Sequence, residues 1–198
     1  MCRLVESIKL KDGVFYRLKF HQERLNKAFG ICFPNEEPIS LFDNLYQTMI
    51  PQEGIYKCRI VYDTDVQTIE IQPYLRREIQ SLKIVETELE SHAYKLEDRT
   101  GFNSAFAQRA DCDDVLLVKN GLLTDASYSN IALFDGKNWF TPRVPLLYGV
   151  NRADLLEQEK LVEKDINVGD LKDYQKIALF NAMIEFGELV LDIDKIVL

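Results

Sequence analysis

The chain has 198 residues, 46% of them apolar and 28% charged, a globular mix that suits one large domain or two small ones sharing a cleft. A net charge of −8 and a pI near 4.9 argue against nucleic acid or an anionic membrane as partner, because no uncompensated basic surface is evident. They leave room for a small anion, since a few well-placed arginines bind phosphate inside an acidic protein. The four cysteines, Cys2, Cys32, Cys58 and Cys112, form no CxxC and meet no clustered His. That pattern speaks against a metal site or a disulfide framework and for free thiols in a reducing cytoplasm. The opening MCRLVESIKLKDG lacks the apolar core of a signal peptide, and no stretch approaches the roughly 18 apolar residues of a membrane span.

In chain order, residues 3–10 alternate as a strand, Asp12-Gly13 signals a hairpin turn and VFYRL is the return strand. HQERLNKAF follows as a helix, with Leu25, Ala28 and Phe29 at helical spacing. Beyond the breakers Pro34 and Pro38, SLFDNLYQTMI predicts a second helix, with Ser40 as cap and Leu41, Leu45 and Met49 on one face. IYKCRIVYD and VQTIEIQPY form a strand pair, and LKIVETEL is a further strand. The segment ESHAYKLEDRTGFNSAFAQRA begins irregularly and turns helical near Asn103–Arg109. Strands DDVLLV, GLLTDA, NIALFDG and NWFTP come next, the first two joined by an Asn120-Gly121 turn. A helix, GVNRADLLEQ, and strands LVEKDINV and KIALFNAM complete an α+β pattern. It is read as a smaller N-terminal α/β domain over 1–87, an interdomain segment over 88–102 and a C-terminal domain over 103–198.

Three features carry chemistry. YKLEDR at 94–99 sets a lysine among polar residues between the halves. TDASYSNI at 124–131 gives a strand end an acid, several hydroxyls and an amide. TPRVPLLYGVNRADLL is a loop whose Gly149-Val150-Asn151 enters a helix, where unpaired N–H groups and the dipole favour an anion. Taken singly, each has a plain reading: a surface lysine, a turn acid, a helix-entry glycine.

Taken in order, these segments resemble the class IV PLP enzymes, the family of branched-chain and D-amino-acid aminotransferases and aminodeoxychorismate lyase. VESIKLKDG and the H-x-x-R-L run at 21–25 resemble the family's first hairpin and helix, and Lys95-x-x-x-Arg99 its lysine segment, in the form closest to aminodeoxychorismate lyase. DDVLLVKNGLLTDASYSNIALF resembles the strand pair bearing the acid and a Ser-Asn pair, GVNR the phosphate loop, and IALFNAMIEFGELVLDID the final strands. The resemblance implies a two-domain, D-amino-acid aminotransferase-like, PLP-dependent fold. It also implies a truncated N-terminal domain, because the strands and Gly-rich turn that usually precede V-E-S are missing.

The same resemblance assigns roles. Lys95 would be the Schiff-base lysine and proton carrier. Arg24 would grip the cofactor phosphate, helped by the turn Gly149, Val150 and Asn151, with the Asn151 side chain as an added donor. Asp125, standing where the family usually has Glu, would face the pyridine nitrogen, and Ser129 and Asn130 would shape the pocket. Asp98 stands where Asn is common. Arg59 is a candidate for a substrate carboxylate, with an ion-paired structural role as the alternative, and Tyr94 is a candidate to line the site, with packing as its alternative. His21 is a candidate to face the phosphate region, with helix capping or packing as its alternative. His92 is a loop residue, Glu6 a structural residue at a dimer-facing strand, Met183 and Phe186 core or pocket wall, and EQEKLVEKD a solvated face. The implied reaction is 4-amino-4-deoxychorismate cleavage to 4-aminobenzoate and pyruvate, in folate synthesis. The alternatives are a branched-chain or D-amino-acid transaminase and a non-catalytic homologue. A cytoplasmic homodimer is expected.

Overall fold

The computed structural model of the chain describes residues 3–197. Cys2 therefore lies outside the described residues, while Cys32, Cys58 and Cys112 are free thiols. No helix among the described residues is long and apolar enough to cross a membrane. Internal contacts divide the chain into two units. One runs to Arg76 and takes back Ala93–Asp98; the other comprises Arg77–His92 and the chain from Arg99 onward. The division thus falls ahead of the expected 87, because the strand Leu82–Glu86 hydrogen-bonds in register with residues 114–118 of the second unit. The expected interdomain stretch is itself split, with its lysine segment belonging to the first unit.

The first unit is a four-stranded antiparallel sheet backed by two helices. Its elements are β1 (Leu4–Lys11), β2 (Val14–Phe15), α1 (Leu18–Cys32), α2 (Leu41–Tyr46), β3 (Ile55–Tyr62) and β4 (Val66–Pro73), with sheet order β2-β1-β3-β4. Asp12 and Gly13 have φ 49° and 78°, the paired left-handed backbone that a two-residue type I′ hairpin requires. The return strand is shorter than VFYRL suggests, because Arg17 takes φ 53° as the residue capping α1 and turns the chain out of the sheet. Leu4, Ile8, Cys58, Ile60 and Tyr62 face α1 and α2 and pack on Leu25, Ala28, Phe29, Leu41 and Leu45. Ser40 caps α2 as expected, accepting the Asp43 N–H at 3.2 Å. The helix ends at Tyr46, so Met49 does not join Leu41 and Leu45 but is 96% exposed.

The second unit is built on a mixed sheet. Its elements are β5 (Leu82–Glu86), α3 (Thr100–Phe106), β6 (Asp114–Lys119), β7 (Leu122–Ala126), β8 (Asn130–Phe134), β9 (Trp139–Pro142), α4 (Val150–Glu157), β10 (Val162–Lys164), β11 (Lys176–Phe180), β12 (Val190–Asp192) and β13 (Ile196–Val197). The order β10-β9-β8-β7-β6-β5-β13 is extended by β11, which pairs with β8 and β12. Apolar packing covers both faces. Leu116, Val118, Ile131 and Leu133 enter one cluster, and Val115 and Leu117 enter another with Ala105 and Leu146. This explains why DVLLV is an unbroken apolar run rather than an alternating one. The predicted strand LVEKDINV shrinks to β10, which pairs with β9 over three residues only.

The β6–β7 turn repeats the hairpin signature, with Asn120 at φ 52° and Gly121 at φ 78°. A Cβ on Gly121 would meet nothing within 4 Å, so Gly121→Ala tests backbone strain alone. The substitution is expected to cost about 1–2 kcal/mol, measured by urea denaturation.

Candidate active site

In the first unit the lysine segment lies along the edge of β1. Val5 N–H donates to Lys95 O and Glu97 N–H to Arg3 O, each at 2.9 Å, and Leu4 bridges Leu96. Alternation then sorts the side chains. Tyr94 and Leu96 pack against the apolar cluster beneath the sheet. Lys95 belongs to the other face, where its Nζ donates to Ser7 Oγ at 3.0 Å. Arg59 is the cross-strand neighbour of Ser7 and donates through Nη2 to Glu97 Oε1 at 2.8 Å. The structure therefore gathers Lys95, Ser7, Arg59 and Glu97. Tyr94, at a bend beside Lys95, is packed against the apolar cluster.

Glu6 and Ser7 are consecutive on β1 and face opposite sides. Glu6 is fully buried against α1, where His21 and Arg24 stand three residues apart on one helix face. His21 Nδ1 lies 2.5 Å from Glu6 Oε2, Arg24 Nε donates to Oε1 at 2.9 Å, and Arg24 Nη2 donates to Oε2. Burial alone would raise the Glu6 pKa, yet Arg24 and His21 beside it hold the carboxyl down at about 2. Burial pushes His21 below its usual value against the pull of Glu6, and both Arg24 and Lys95 add to the depression.

In the second unit the acid expected to matter, Asp125, is 3% exposed at the end of β7. Its Oδ1 accepts from Asn130 Nδ2 at 2.7 Å and its Oδ2 from the Leu147 N–H at 2.9 Å. Asn130 Nδ2 also donates to Leu147 O at 2.8 Å. One amide thus ties the acid on β7 to the loop entering α4. Desolvation dominates these bonds and pushes the Asp125 pKa up to about 7. Gly149 makes the arrangement possible, because a Cβ there would sit 2.0 Å from Asn130 Oδ1.

Gly149 also opens α4. The first intrahelical bond runs from Ala153 N–H to Gly149 O, and no side chain caps the helix. The N–H groups of Val150, Asn151 and Arg152 therefore precede the ladder at the positive end of the dipole. The Asn151 side chain does not serve as the added donor expected from sequence. Its Nδ2 is committed to Asn181 O at 2.8 Å and Ile184 O at 3.1 Å, which fixes α4 to the turn after β11. Ser129 Oγ accepts from Asn181 Nδ2 at 3.3 Å. Arg99 lies 4.2 Å from the Tyr128 ring and 4.6 Å from the Phe102 ring, and donates to Ser127 O. Ser7, Glu97 and Asn181 escaped the sequence reading. Only the two-residue alternation of β1 and its pairing with β3 could have marked Ser7, and the other two depend on contacts far apart in the chain.

The chain belongs to the amino-transferase class IV family, which matches residues 3–189. It is similar to an uncharacterized protein of Haemophilus influenzae, at 31% identity over 92% of this chain and 98% of that one. A solved structure from Haemophilus somnus 129pt, named a "putative 4-amino-4-deoxychorismate lyase", has a TM-score of 0.87 and 30% identity, covering 93% of this chain and 98% of that one. A Schizosaccharomyces pombe protein named a "putative aminodeoxychorismate lyase" is 28% identical over 87% and 83% of the two chains. The PLP-bound form of a hypothetical aminotransferase from Mycobacterium tuberculosis shares the fold at TM-score 0.73 and 18% identity, covering 93% and 79%. The two-domain α+β architecture expected from sequence is that of these relatives.

Two predictions test the Asp125 network. Gly149→Ala is expected to destabilise the wild type but to cost markedly less in an Asn130→Ala background, because the clash is with that side chain; a double-mutant cycle of urea denaturation measures the coupling, expected at about 0.5–3 kcal/mol. The second concerns pH. A carboxyl whose folded pKa stands above its unfolded value binds more protons when folded, so its contribution is present below about 4 and lost as pH rises through about 7. The stability difference between wild type and Asp125→Asn is therefore expected to shift against the wild type across that interval, whatever the variant's absolute stability.

Proposed function

We propose that this chain is a 4-amino-4-deoxychorismate lyase, releasing 4-aminobenzoate and pyruvate, with Lys95 as its reactive amine. The observation that carries the reading is the Lys95 Nζ bond to Ser7 Oγ on the sheet face that also bears Arg59. The likeness to the Haemophilus somnus protein over nearly both whole chains supports the choice of reaction. Pyridoxal 5′-phosphate is the cofactor, and when bound it supplies the electron sink for the carbon beside the substrate amine.

The residues fit that group. Arg24 engages Glu6 through Nε and Nη2, which leaves the Nη1 end of its fork for phosphate oxygens. The first N–H groups of α4 are a second anion site. Asp125 is buried with neutral hydrogen-bond partners, Asn130 and Leu147, and the charge of Arg152 does not offset its desolvation, so a protonated ring nitrogen would stabilise its carboxylate. Ser129 and Asn130 hold the strand end and the loop around it.

The chain's own groups then act as follows. Ser7 Oγ would orient the Lys95 amine, and Lys95 Nζ would take the proton from the amine-bearing carbon; the C–O bond on the neighbouring carbon then breaks, the ring becomes aromatic as 4-aminobenzoate, and the proton passes to the departing enolpyruvate, which leaves as pyruvate. Arg59 binds the substrate carboxylate by exchanging its bond to Glu97. A second reading, transamination of branched-chain or D-amino acids, is favoured by the family itself, since lyase and transaminase share these groups and differ in where the proton is returned. A homodimer serving folate synthesis in the cytoplasm belongs to the same proposal, and light scattering reads its assembly state.

Purified with cofactor, the wild type is expected to show the absorbance of the lysine-bound cofactor. Lys95→Ala is expected to lose it, with turnover down on the order of 10²–10⁴-fold. Pyruvate from aminodeoxychorismate, without glutamate from an amino acid plus 2-oxoglutarate, supports the lyase. The reverse pattern establishes the transaminase instead. A wild type with neither band nor turnover is a non-catalytic homologue.

A further inference from the structure

We propose that Glu6 is the positioning residue for Arg24, and that it, together with His21, fixes the guanidinium in the one orientation that meets a phosphate. The inference rests on the reading of Arg24 as the phosphate partner. It departs from the sequence expectation that Glu6 is a structural residue at a dimer-facing strand.

The geometry is that of a clamp. Arg24 would have several rotatable bonds to fix on binding an anion if its head were in water. Here both carboxylate oxygens of Glu6 hold it, Oε1 on Nε and Oε2 on Nη2, and two parallel bonds fix the plane of the guanidinium as well as its place. His21 Nδ1 engages Oε2 as well, so the carboxylate cannot rotate away from the arginine. Only 8% of the Arg24 side chain and none of the Glu6 side chain reaches solvent. The cost of orienting the arginine is therefore met during folding rather than at binding.

The cluster is also balanced in charge. One carboxylate faces one guanidinium, and His21, depressed by burial, is neutral at neutral pH. A neutral His21 whose Nδ1–H donates to Glu6 leaves Nε2 as an acceptor, and Nε2 is buried with no hydrogen-bond partner among the described residues. Lys95 lies near enough for its charge to depress His21 further, which sets the clamp beside the reactive amine within one unit. The strand that supplies the clamp supplies the lysine contact too. Glu6 faces α1 while Ser7, the next residue, holds Lys95 Nζ on the opposite face. A shift of β1 along β3 would move both at once.

The alternative is that the three residues only pin α1 to the sheet. The two roles separate on a comparison of pyridoxal 5′-phosphate with pyridoxal, which carries the same aldehyde and no phosphate. The ratio of the pyridoxal dissociation constant to that of pyridoxal 5′-phosphate, titrated by absorbance on the full chain, isolates the phosphate contribution from lysine chemistry and from stability. Arg24→Lys keeps the charge, loses the fork and is expected to lower the ratio. Glu6→Gln is expected to lower it on the order of tenfold, through weaker phosphate-ligand binding with pyridoxal binding nearly unchanged. Should Glu6→Gln fail to fold, Glu6→Asp, which keeps the charge but withdraws the carboxylate by one methylene, is expected to lower the same ratio. A Glu6 variant that melts earlier yet keeps the wild-type ratio overturns the proposal and leaves a structural pin. An unchanged ratio in Arg24→Lys and in Arg24→Ala overturns it for a different reason, since Arg24 then does not bind the phosphate at all.

Discussion

Taking a carboxylate out of water costs several kcal/mol unless its charge is answered, and both Glu6 in the first unit and Asp125 in the second are buried. The two are answered in opposite ways. Glu6 meets a guanidinium and an imidazole and stays ionised down to a pH of about 2. Asp125 meets an amide and a backbone N–H, and these together with the charge of Arg152 do not offset its desolvation, so its pKa climbs to about 7. A carboxylate in the first state can hold a cation in place. One in the second state gains most from a cation that arrives with a ligand. That difference follows from the side chains that the fold places within reach of each acid.

The placing is done by extended chain. In β1 and in the lysine segment, consecutive residues face opposite sides. Glu6 and Ser7 thereby serve different faces, as do Lys95 and its neighbours Tyr94 and Leu96. In the second unit the device is a single amide. Asn130 spans from Asp125 to the Leu147 carbonyl, and Gly149 keeps the space it needs. The acid and the entry to α4 are thus held as one rigid piece, with the geometry a site needs when its orienting groups are already bonded before the ligand comes.

Membership of class IV follows from a match over nearly the whole chain. In the proposed reading, the choice between cleavage and amino transfer turns on where one proton is delivered, and so on orientation at the Lys95 face. Ser7, Arg59 and Glu97 are the residues that the first unit gathers around Lys95.

What the sequence determined by itself was mostly local or ordered along the chain. Asp12-Gly13 and Asn120-Gly121 prescribe their turns because the backbone they need is one that few other pairs adopt. Ser40 announces its helix, and the succession H-x-x-R-L, Lys95, Asp125 and GVN marks the chemistry without any distance being known. The tertiary structure alone decided which groups those residues meet. It moved Leu82–Glu86 into the second unit through pairing with β6, packed Tyr94 against the first unit's apolar cluster, committed the Asn151 amide to β11's turn, and made Glu6 the partner of Arg24. Each of these depends on strands or helices distant in sequence coming into register. Burial, which pushes up Asp125 and depresses His21, and the neighbours that hold Glu6 ionised against it exist only once they have done so.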